Sequence, residues 1–550
     1  MNPEAATAVR AAVAGTSGPK LVFVGFMGSG KSRAARHAKR LLGVDPLDSD
    51  ALLEAELGEP IAGFFERHGE AAFREREEAL VLSLLDRPDA KIIALGGGAV
   101  LSTSVRERLA DHLCIYMEVD PETAWDRVRE SPRPLARDRA SFLELLKERT
   151  PLYESVARAI VPARDDLIEH ALPVAARLAT AQMPRSIRMI WAGTASGGYP
   201  VFVGEGVVDS AAQLLSGETR LFVVADERVF GLHGERLEAA LTAAKPAATL
   251  VVPAGEKHKT MAEAERVLEA LAAEGMERTD TVLVFGGGVV GDLGGFCAAV
   301  YQRGVAAVHV PTTLVAQVDS AYGGKTGVDL PDAKNYVGVF HQPSAVLTDP
   351  VLLQTLPVEE LRAGFAEVIK TGLIAGGNLW RQVEELDQID KVLEAGPDSL
   401  RAMIEGCLRT KLDVVAKDER DHGLRASLNL GHTVAHGIEA ATAYGGYRHG
   451  EAVGLGLLVA LRLSERDAGL DPSVREEVLE QLRRNSLPTT FGGITTDQIL
   501  THAALDKKRR AGRHRFVLLQ APGKVITDYK VSEDSLREAI EEIRGVEVPS

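Results

Sequence analysis

The chain has 550 residues, more than one hydrophobic core usually serves, so two or three domains are expected. Charged residues make up 26% and aromatics 5%, and no apolar run is long enough to cross a bilayer, so no membrane span is predicted. A formal net charge of -15, with no basic stripe interleaved with aromatics, argues against nucleic acid as a partner and leaves any anionic ligand to local clusters of Lys and Arg.

Residues 1–17 are Ala-rich, contain Glu4 and lack the basic start and apolar core of a signal peptide, so a disordered lead is expected. Cys114, Cys297 and Cys407 are far apart in apolar surroundings, which predicts buried thiols and a reducing cytoplasm. The first folded element is "KLVFVGFMGSGKS", an apolar run that feeds a Gly-rich turn and then a helix. Its "GFMGSGKS" (25–32) fits G-x-x-x-x-G-K-[ST]. In that context the backbone N–H groups of Gly28, Ser29 and Gly30 cradle the phosphates of ATP, Lys31 reaches the β- and γ-phosphates, and the Ser32 hydroxyl ligates Mg2+. In "LDSDALLE" (47–54), Asp48 and Asp50 sit where a strand should end. One could hold Mg2+ through water while the other meets an acceptor hydroxyl, although an N-cap pair is the commoner fate of such residues.

Arg74 in "FFERHGEAAFREREE", Gly96, Gly97 and Gly98 in "IIALGGGAVL", Arg133 in "SPRPLA" and Arg149 in "ERTPLYESVA" follow. In this order, the set resembles shikimate kinase over residues 18–170. The resemblance implies that Asp50, Arg74, Gly97 and Arg149 grip shikimate, that Asp48 assists the metal, and that Arg133 rides a mobile lid closing over ATP. Arg forks suit a carboxylate and an aspartate suits a hydroxyl, and a lid cation offsets charge in phosphoryl transfer. The lid segment looks shorter than is usual for the family, and "RPLA" stands where "RPLL" is commoner.

The stretch around 171–187 has prolines, small residues and no strong period, and is expected to be a linker. From 188 to 347 the pattern alternates strand and helix, and over 348–550 long amphipathic patterns dominate. "GGGVVG" (286–291) satisfies G-x-G-x-x-G between a strand and a helix, but the acid expected about twenty residues on is missing. Asp226, at an earlier strand end in "LFVVADERV", could hold an adenine ribose or be a turn residue. "NLGHTVAHGIE" (429–439) places His432 and His436 on one helix face with no glutamate beside the first, so a metalloprotease motif is not present.

With "PAGEKHKT", "PTTLVAQVDSAYGGKTGVDLPDAKN", "AEVIKTG", "GLRASLNLGHT", "YRHGEAVG" and "LDKK", residues 188–550 are similar to 3-dehydroquinate synthase, with Ala321 where Ser is frequent and Leu430 where Phe is usual. The resemblance makes Glu367, His432 and His449 the ligands of Zn2+ or Co2+ and leaves His436 for proton traffic. Two imidazoles and one carboxylate leave a coordination position open, as a catalytic zinc site needs. NAD is implied at Asp226, Glu256, Lys259, Gly288, Val289, Val290, Gly291, Asp292, Thr312 and Thr313, with Lys325 and Lys334 near both cofactor and substrate. Lys325, Lys334, Asn335, Arg425 and Asn429 would clamp the substrate phosphate, Lys370, Lys411 and Lys507 its carboxylate and hydroxyls, and Asp319 would order the cations. The implied reaction is cyclisation of 3-deoxy-D-arabino-heptulosonate 7-phosphate to 3-dehydroquinate and phosphate, with NAD reduced and reoxidised in each turnover.

The expected fold class is therefore α/β. A P-loop kinase with a parallel sheet and flanking helices precedes an α/β NAD-binding domain, which is followed by a mainly helical metal-binding domain. A homodimer through the second half is implied. Two other readings of the second half remain, a cyclase of another sugar phosphate and a Zn/NAD polyol dehydrogenase, either one fused to a small-molecule kinase.

Overall fold

Leu21–Val24 (β1) is an uninterrupted apolar run buried at every residue, as a central strand of a parallel sheet requires. The computed structural model describes residues 18–129, 138–180, 183–215, 220–242, 246–331, 333–443, 445–505 and 514–545. Arg133 and Lys507 lie outside these, as does the expected lead. The chain divides into two units, Met1–Glu218 and Thr219–Ser550.

In the first unit β1 is followed by α1 (Lys31–Leu42), β2 (Leu47–Asp48), α2 (Ser49–Leu57) and α3 (Ile61–Asp86), which is interrupted at Gly69. Next come β3 (Ile92–Ala94), β4 (Leu113–Glu118), α4 (Pro121–Val128), α5 (Arg139–Val156), β5 (Ala159–Pro162) and α6 (Asp165–Ala175). The strands pair in parallel in the order β2-β3-β1-β4-β5. The Gly-rich turn and the Asp48 region thus fall at the carboxyl ends of the strands, where α/β sheets bind ligands. The stretch expected as a linker holds the end of α6 and a 3-10 turn, Ala176–Ala179, both largely buried. After it β6 (Arg188–Thr194) runs parallel to β5, with Ala159 opposite Met189, and forms an antiparallel hairpin with β7 (Gly197–Val203).

The second unit continues with β8 (Leu221–Asp226), α7 (Glu227–Leu241), β9 (Ala248–Val252), α8 (Met261–Ala273), β10 (Thr281–Gly286), α9 (Gly288–Val300) and β11 (Ala306–Pro311). A ribbon of β12 (Lys325–Leu330) and β13 (Ala333–Phe340) precedes β14 (Ala345–Thr348). The parallel order is β9-β8-β10-β11-β14, and Phe222, Val284, Leu293, Phe296 and Val328 share one buried core. Helices then dominate, among them α10 (Val358–Ala375), α11 (Pro397–Lys417), α12 (His432–Ala441) and α13 (His449–Ala468). An antiparallel hairpin of β15 (His514–Ala521) and β16 (Lys524–Val531) lies near the end of this helical region. The three cysteines are free and buried, and no helix among the described residues is long and apolar enough to cross a membrane.

Candidate active sites

In the first unit the chain leaves β1 through Gly25, Gly28 and Gly30, all at positive φ, and enters α1. A Cβ on Gly28 would lie 2.9 Å from the Ala124 carbonyl oxygen, so both backbone angle and space demand glycine there. Lys31 folds over this loop, its Nζ donating to the Gly25 and Phe26 carbonyls at 2.9 Å each. Ser32 Oγ donates to Asp48 Oδ2 at 2.6 Å. The other oxygen, Asp48 Oδ1, accepts from the backbone N–H of Asp50 and of Ala51 and caps α2. Helix capping and the link to the P-loop serine therefore coexist in one carboxylate.

The Gly96–Gly98 loop follows β3 and is anchored by the Gly96 N–H donating to Ser49 Oγ at 2.8 Å. A Cβ on Gly96 would collide with the Asp50 carboxylate and stand 2.8 Å from Glu77 Oε1, and one on Gly98 would overlap the Arg74 guanidinium. Bare backbone here is what lets Asp50, Glu77 and Arg74 crowd together. Arg74 donates to Glu77 at 2.6 Å and to Glu70 at 3.0 Å. Burial pushes the Glu77 carboxyl above its usual range against the pull of Arg74. Arg149 is 5% exposed and its charge also acts on Glu77. One helical turn on, Tyr153 donates its hydroxyl to the Gly97 carbonyl at 2.5 Å. Asp50, Arg74, Gly97 and Arg149 thus surround one spot beside the P-loop strand end.

In the second unit three helices meet where glycine permits close approach. A Cβ on Gly450 would fall on the Ala363 carbonyl, and one on Gly431 would lie 2.8 Å from the Leu457 nitrogen. These contacts bring α10, α12 and α13 together at Glu367, His432 and His449. Glu367 Oε1 is 3.1 Å from His449 Nε2 and 3.4 Å from His432 Nε2. The three ligand atoms lie within 4.8 Å of one another. The opposite ring nitrogens face acceptors, His432 Nδ1 the Leu430 carbonyl at 3.1 Å and His449 Nδ1 the Glu439 carboxylate at 3.4 Å. Both Nε2 lone pairs are thereby free to point at the common centre, and the donor set fits a divalent cation. His436 stacks edge-on to His432, 5.6 Å between ring centres, and does not belong to the trio.

Behind Glu367 runs a buried charge array. Lys370 Nζ lies 2.5 Å from Glu367 Oε2 and 2.8 Å from Asp319 Oδ2. Lys411 binds the Asp319 carboxylate and, at 2.7 Å, its carbonyl. Asp319 projects from a π-helical turn, Ala316–Ser320, a local irregularity frequent at functional sites. Burial opposes the charge of Asp319, but Lys370 and Lys411 outweigh it and hold the carboxyl far below its normal range. Burial likewise disfavours ionised Glu367, and Lys370 with His432 overcomes it. Lys411 is the exception, since burial lowers its pKa despite Asp319.

His449, with His436 and Glu439, borders a cleft of about 1550 Å³. One wall is the carboxyl end of the sheet, with Asp226 capping α7 after β8, then Gly288, Val289 and Asp292 on α9, and Thr312 and Thr313 after β11. Gly286 makes this wall thin, since a Cβ there would lie 3.0 Å from Asp226 Cβ. Asp226 therefore sits beside the Gly-rich turn although it belongs to the neighbouring strand. Val290 is buried in the core behind. Glu256, Lys259, Lys334 and Asn335 form another side, with Lys259 3.1 Å from Asp292 and 3.3 Å from Glu256. Lys325 pairs with Asp421 at 2.7 Å. Arg425 is fully buried and donates to the Glu419 and Gly323 carbonyls, and Asn429 ends a half-buried 3-10 turn.

Two residues at these sites escaped the sequence reading. Glu439 accepts from both His449 and Lys334, and Glu77 accepts from Arg74 while crowding Gly96 together with Asp50. Each carried a spacing signal: Glu439 is seven residues after His432 on the same helix face, and Glu77 is three after Arg74.

Fold and sites together define a P-loop phosphotransferase joined to an α/β enzyme with a dinucleotide-type sheet and a histidine-carboxylate cluster able to hold a divalent cation. The family models for 3-dehydroquinate synthase, N-terminal and C-terminal, match residues 249–363 and 364–509, and that for shikimate kinase matches 27–177. The 3-dehydroquinate synthase of Acidithiobacillus ferrooxidans is 41% identical over 346 residues, covering 62% of this chain and 94% of that protein. That of Halorhodospira halophila is 41% identical over 362 residues, 65% of this chain and 99% of the relative. Among solved structures, 2-epi-5-epi-valiolone synthase from Streptomyces hygroscopicus, with NAD+ and Zn2+ bound, is similar at a TM-score of 0.56 and 28% identity, covering 63% of this chain and 96% of its own. The chain belongs to the 3-dehydroquinate synthase family and carries a shikimate kinase ahead of the synthase. Its activities are those of a kinase and a lyase of the shikimate pathway, and the reading as a polyol dehydrogenase falls away.

Proposed function

We propose that Glu367, His432 and His449 hold a divalent cation, Zn2+ or Co2+, beside NAD+ in the cleft, and that this centre converts 3-deoxy-D-arabino-heptulosonate 7-phosphate to 3-dehydroquinate and phosphate. The observation that carries this is the convergence of three remote side chains, two imidazole Nε2 atoms within 3.4 Å of one buried carboxylate oxygen. When bound, the cation lowers the pKa of a substrate hydroxyl and NAD+ takes up and returns a hydride. Asp226 receives the adenine ribose, the start of α9 faces the pyrophosphate, and Glu256, Lys259, Asp292, Thr312 and Thr313 fix the rest of the dinucleotide. Lys325, Lys334, Asn335, Arg425 and Asn429 gather the phosphate as it leaves. Lys370 and Lys411, oriented by Asp319, hold the carboxylate and hydroxyls with Lys507. His436 moves the proton.

In the first unit ATP with Mg2+ occupies the P-loop, Lys31 meets the β- and γ-phosphates, and Ser32 and Asp48 hold the metal. Asp50 orients the acceptor hydroxyl of shikimate, Arg74 and Arg149 hold its carboxylate, and Arg133 closes over the nucleotide. We assign the kinase to 18–170, a linker to 171–187, the α/β part of the synthase to 188–347 and its helical part to 348–550. The protein works in the cytoplasm as a homodimer through its synthase half, consistent with its free thiols and with the pairing common among such synthases.

The test is phosphate release from the heptulosonate phosphate with Zn2+ and trace NAD+. Many phosphates are expected per NAD+, and one or fewer would refute catalytic use of the nucleotide.

A further inference from the structure

Glu439 is 3% exposed, and no member of the proposed ligand trio, yet a buried carboxylate persists only where partners offset its desolvation. Among the described residues its side chain contacts His449 and Lys334, and both address the same atom. Oε1 lies 3.4 Å from His449 Nδ1 and 3.2 Å from Lys334 Nζ. Lys334 in turn reaches Glu256 at 3.4 Å, and Glu256 reaches Lys259 at 3.3 Å. A single oxygen therefore joins the metal-side imidazole to the row of charges along the dinucleotide side of the cleft. Imidazole ligands are fixed in tautomer and orientation by what their second nitrogen donates to. The Leu430 carbonyl does this for His432, and Glu439 is the group so placed for His449.

We infer that Glu439 is a positioning residue: it fixes His449 with Nε2 toward Glu367, and through Lys334 it makes metal affinity and dinucleotide affinity depend on one another. The inference rests on the metal reading above. Its physical content is that Lys334 and His449 share the negative charge of one oxygen, so a ligand that draws Lys334 into the cleft leaves more of that charge to the imidazole. Coupling of this kind is reciprocal, each ligand strengthening the other by the same factor.

The experiment uses the full chain, stripped with chelator and titrated with Zn2+ against a chromophoric competitor, with and without saturating NAD+, and with Co2+ for its visible absorption. Wild type should bind one ion and bind it several-fold more tightly with NAD+. Glu439→Ala should weaken the ion roughly 10–100-fold, the range for a lost outer-shell partner, shift the Co2+ bands and abolish the effect of NAD+. Glu439→Gln keeps shape and an acceptor for the ring but no charge for Lys334. It should retain affinity within a few-fold of wild type while losing the coupling. Kinase turnover and the thermal midpoint of the stripped protein report that each variant is folded. Unchanged Zn2+ affinity and Co2+ spectrum in folded Glu439→Ala would overturn the positioning role, and an unaltered NAD+ effect in Glu439→Gln would overturn the coupling. A wild type that binds no ion would instead defeat the metal reading itself, so the two failures are distinguishable.

Discussion

Gly96→Ala tests how the kinase pocket is built. The added Cβ lands 2.8 Å from Glu77 Oε1 and nearer still to Asp50 Oδ1, where ordinary contact begins at 3.4 Å. Glu77 must retreat by about 0.6 Å and Asp50 by about 1 Å, because the loop itself is pinned by the Gly96 N–H to Ser49 bond. A misplacement of ~1 Å in a group that orients the reacting hydroxyl costs ~100-fold in rate, or about 2.7 kcal/mol of transition-state stabilisation. Gly96 has an ordinary φ, so alanine adds no backbone strain and the loss comes from displacement alone. Coupled ADP formation at saturating ATP and varied shikimate measures kcat/KM, while phosphate release by the synthase in the same sample controls for folding. A variant within twofold of wild type would show that Asp50 is not held where the hydroxyl needs it.

Glu367→Ala should reduce bound metal from about one ion per chain to less than a tenth and end synthase turnover, with kinase turnover intact; metal analysis showing a full complement of ion would count against its role as a ligand. Asp319→Asn leaves Lys370 and Lys411 without their shared counter-charge. Breaking a buried pair costs about 3–5 kcal/mol, and the one-fifth exposure of Asp319 places the expectation at the lower end, read from the urea midpoint; a loss below 1 kcal/mol would refute it. His309 has its pKa lowered to about 4, chiefly by burial. The unfolded chain, titrating near 6.5, then binds more protons, so stability is complete above about pH 6.5 and falls as pH drops toward 4, by roughly 3 kcal/mol in all. Denaturation at pH 7 and pH 5 should show this slope, and His309→Leu should flatten it; an equal slope in that variant would remove His309 as its source.

The P-loop and the Gly-rich turn at 286–291 were legible because they are local: apolar runs, glycines and helix starts lie within a dozen residues of each other. The Glu367, His432 and His449 trio was not local, since Glu367 is 65 residues before His432, and only the family resemblance joined them. The helix contacts at Gly431 and Gly450 that make them meet have no signature short of the fold itself. Asp226 shows the same limit. It ends β8, two strands earlier in the chain than the Gly-rich turn, and comes beside that turn only because β8 pairs with β10 in the sheet. Strand order, and hence this adjacency, is absent from periodicity. The β15–β16 hairpin was hidden by the helical patterns around it. Glu439 and Glu77 were readable in principle, as carboxylates at helical spacing from residues already under suspicion.

The pairing of β5 with β6 bears on any attempt to dissect the two activities. A fragment cut near residue 187 would strip Ala159–Pro162 of its neighbour and leave a bare, apolar edge able to recruit other chains. A kinase clone that keeps the β6–β7 hairpin retains that cover, so poor behaviour of a shorter piece would report an orphaned strand border and not a dependence of phosphorylation on the synthase.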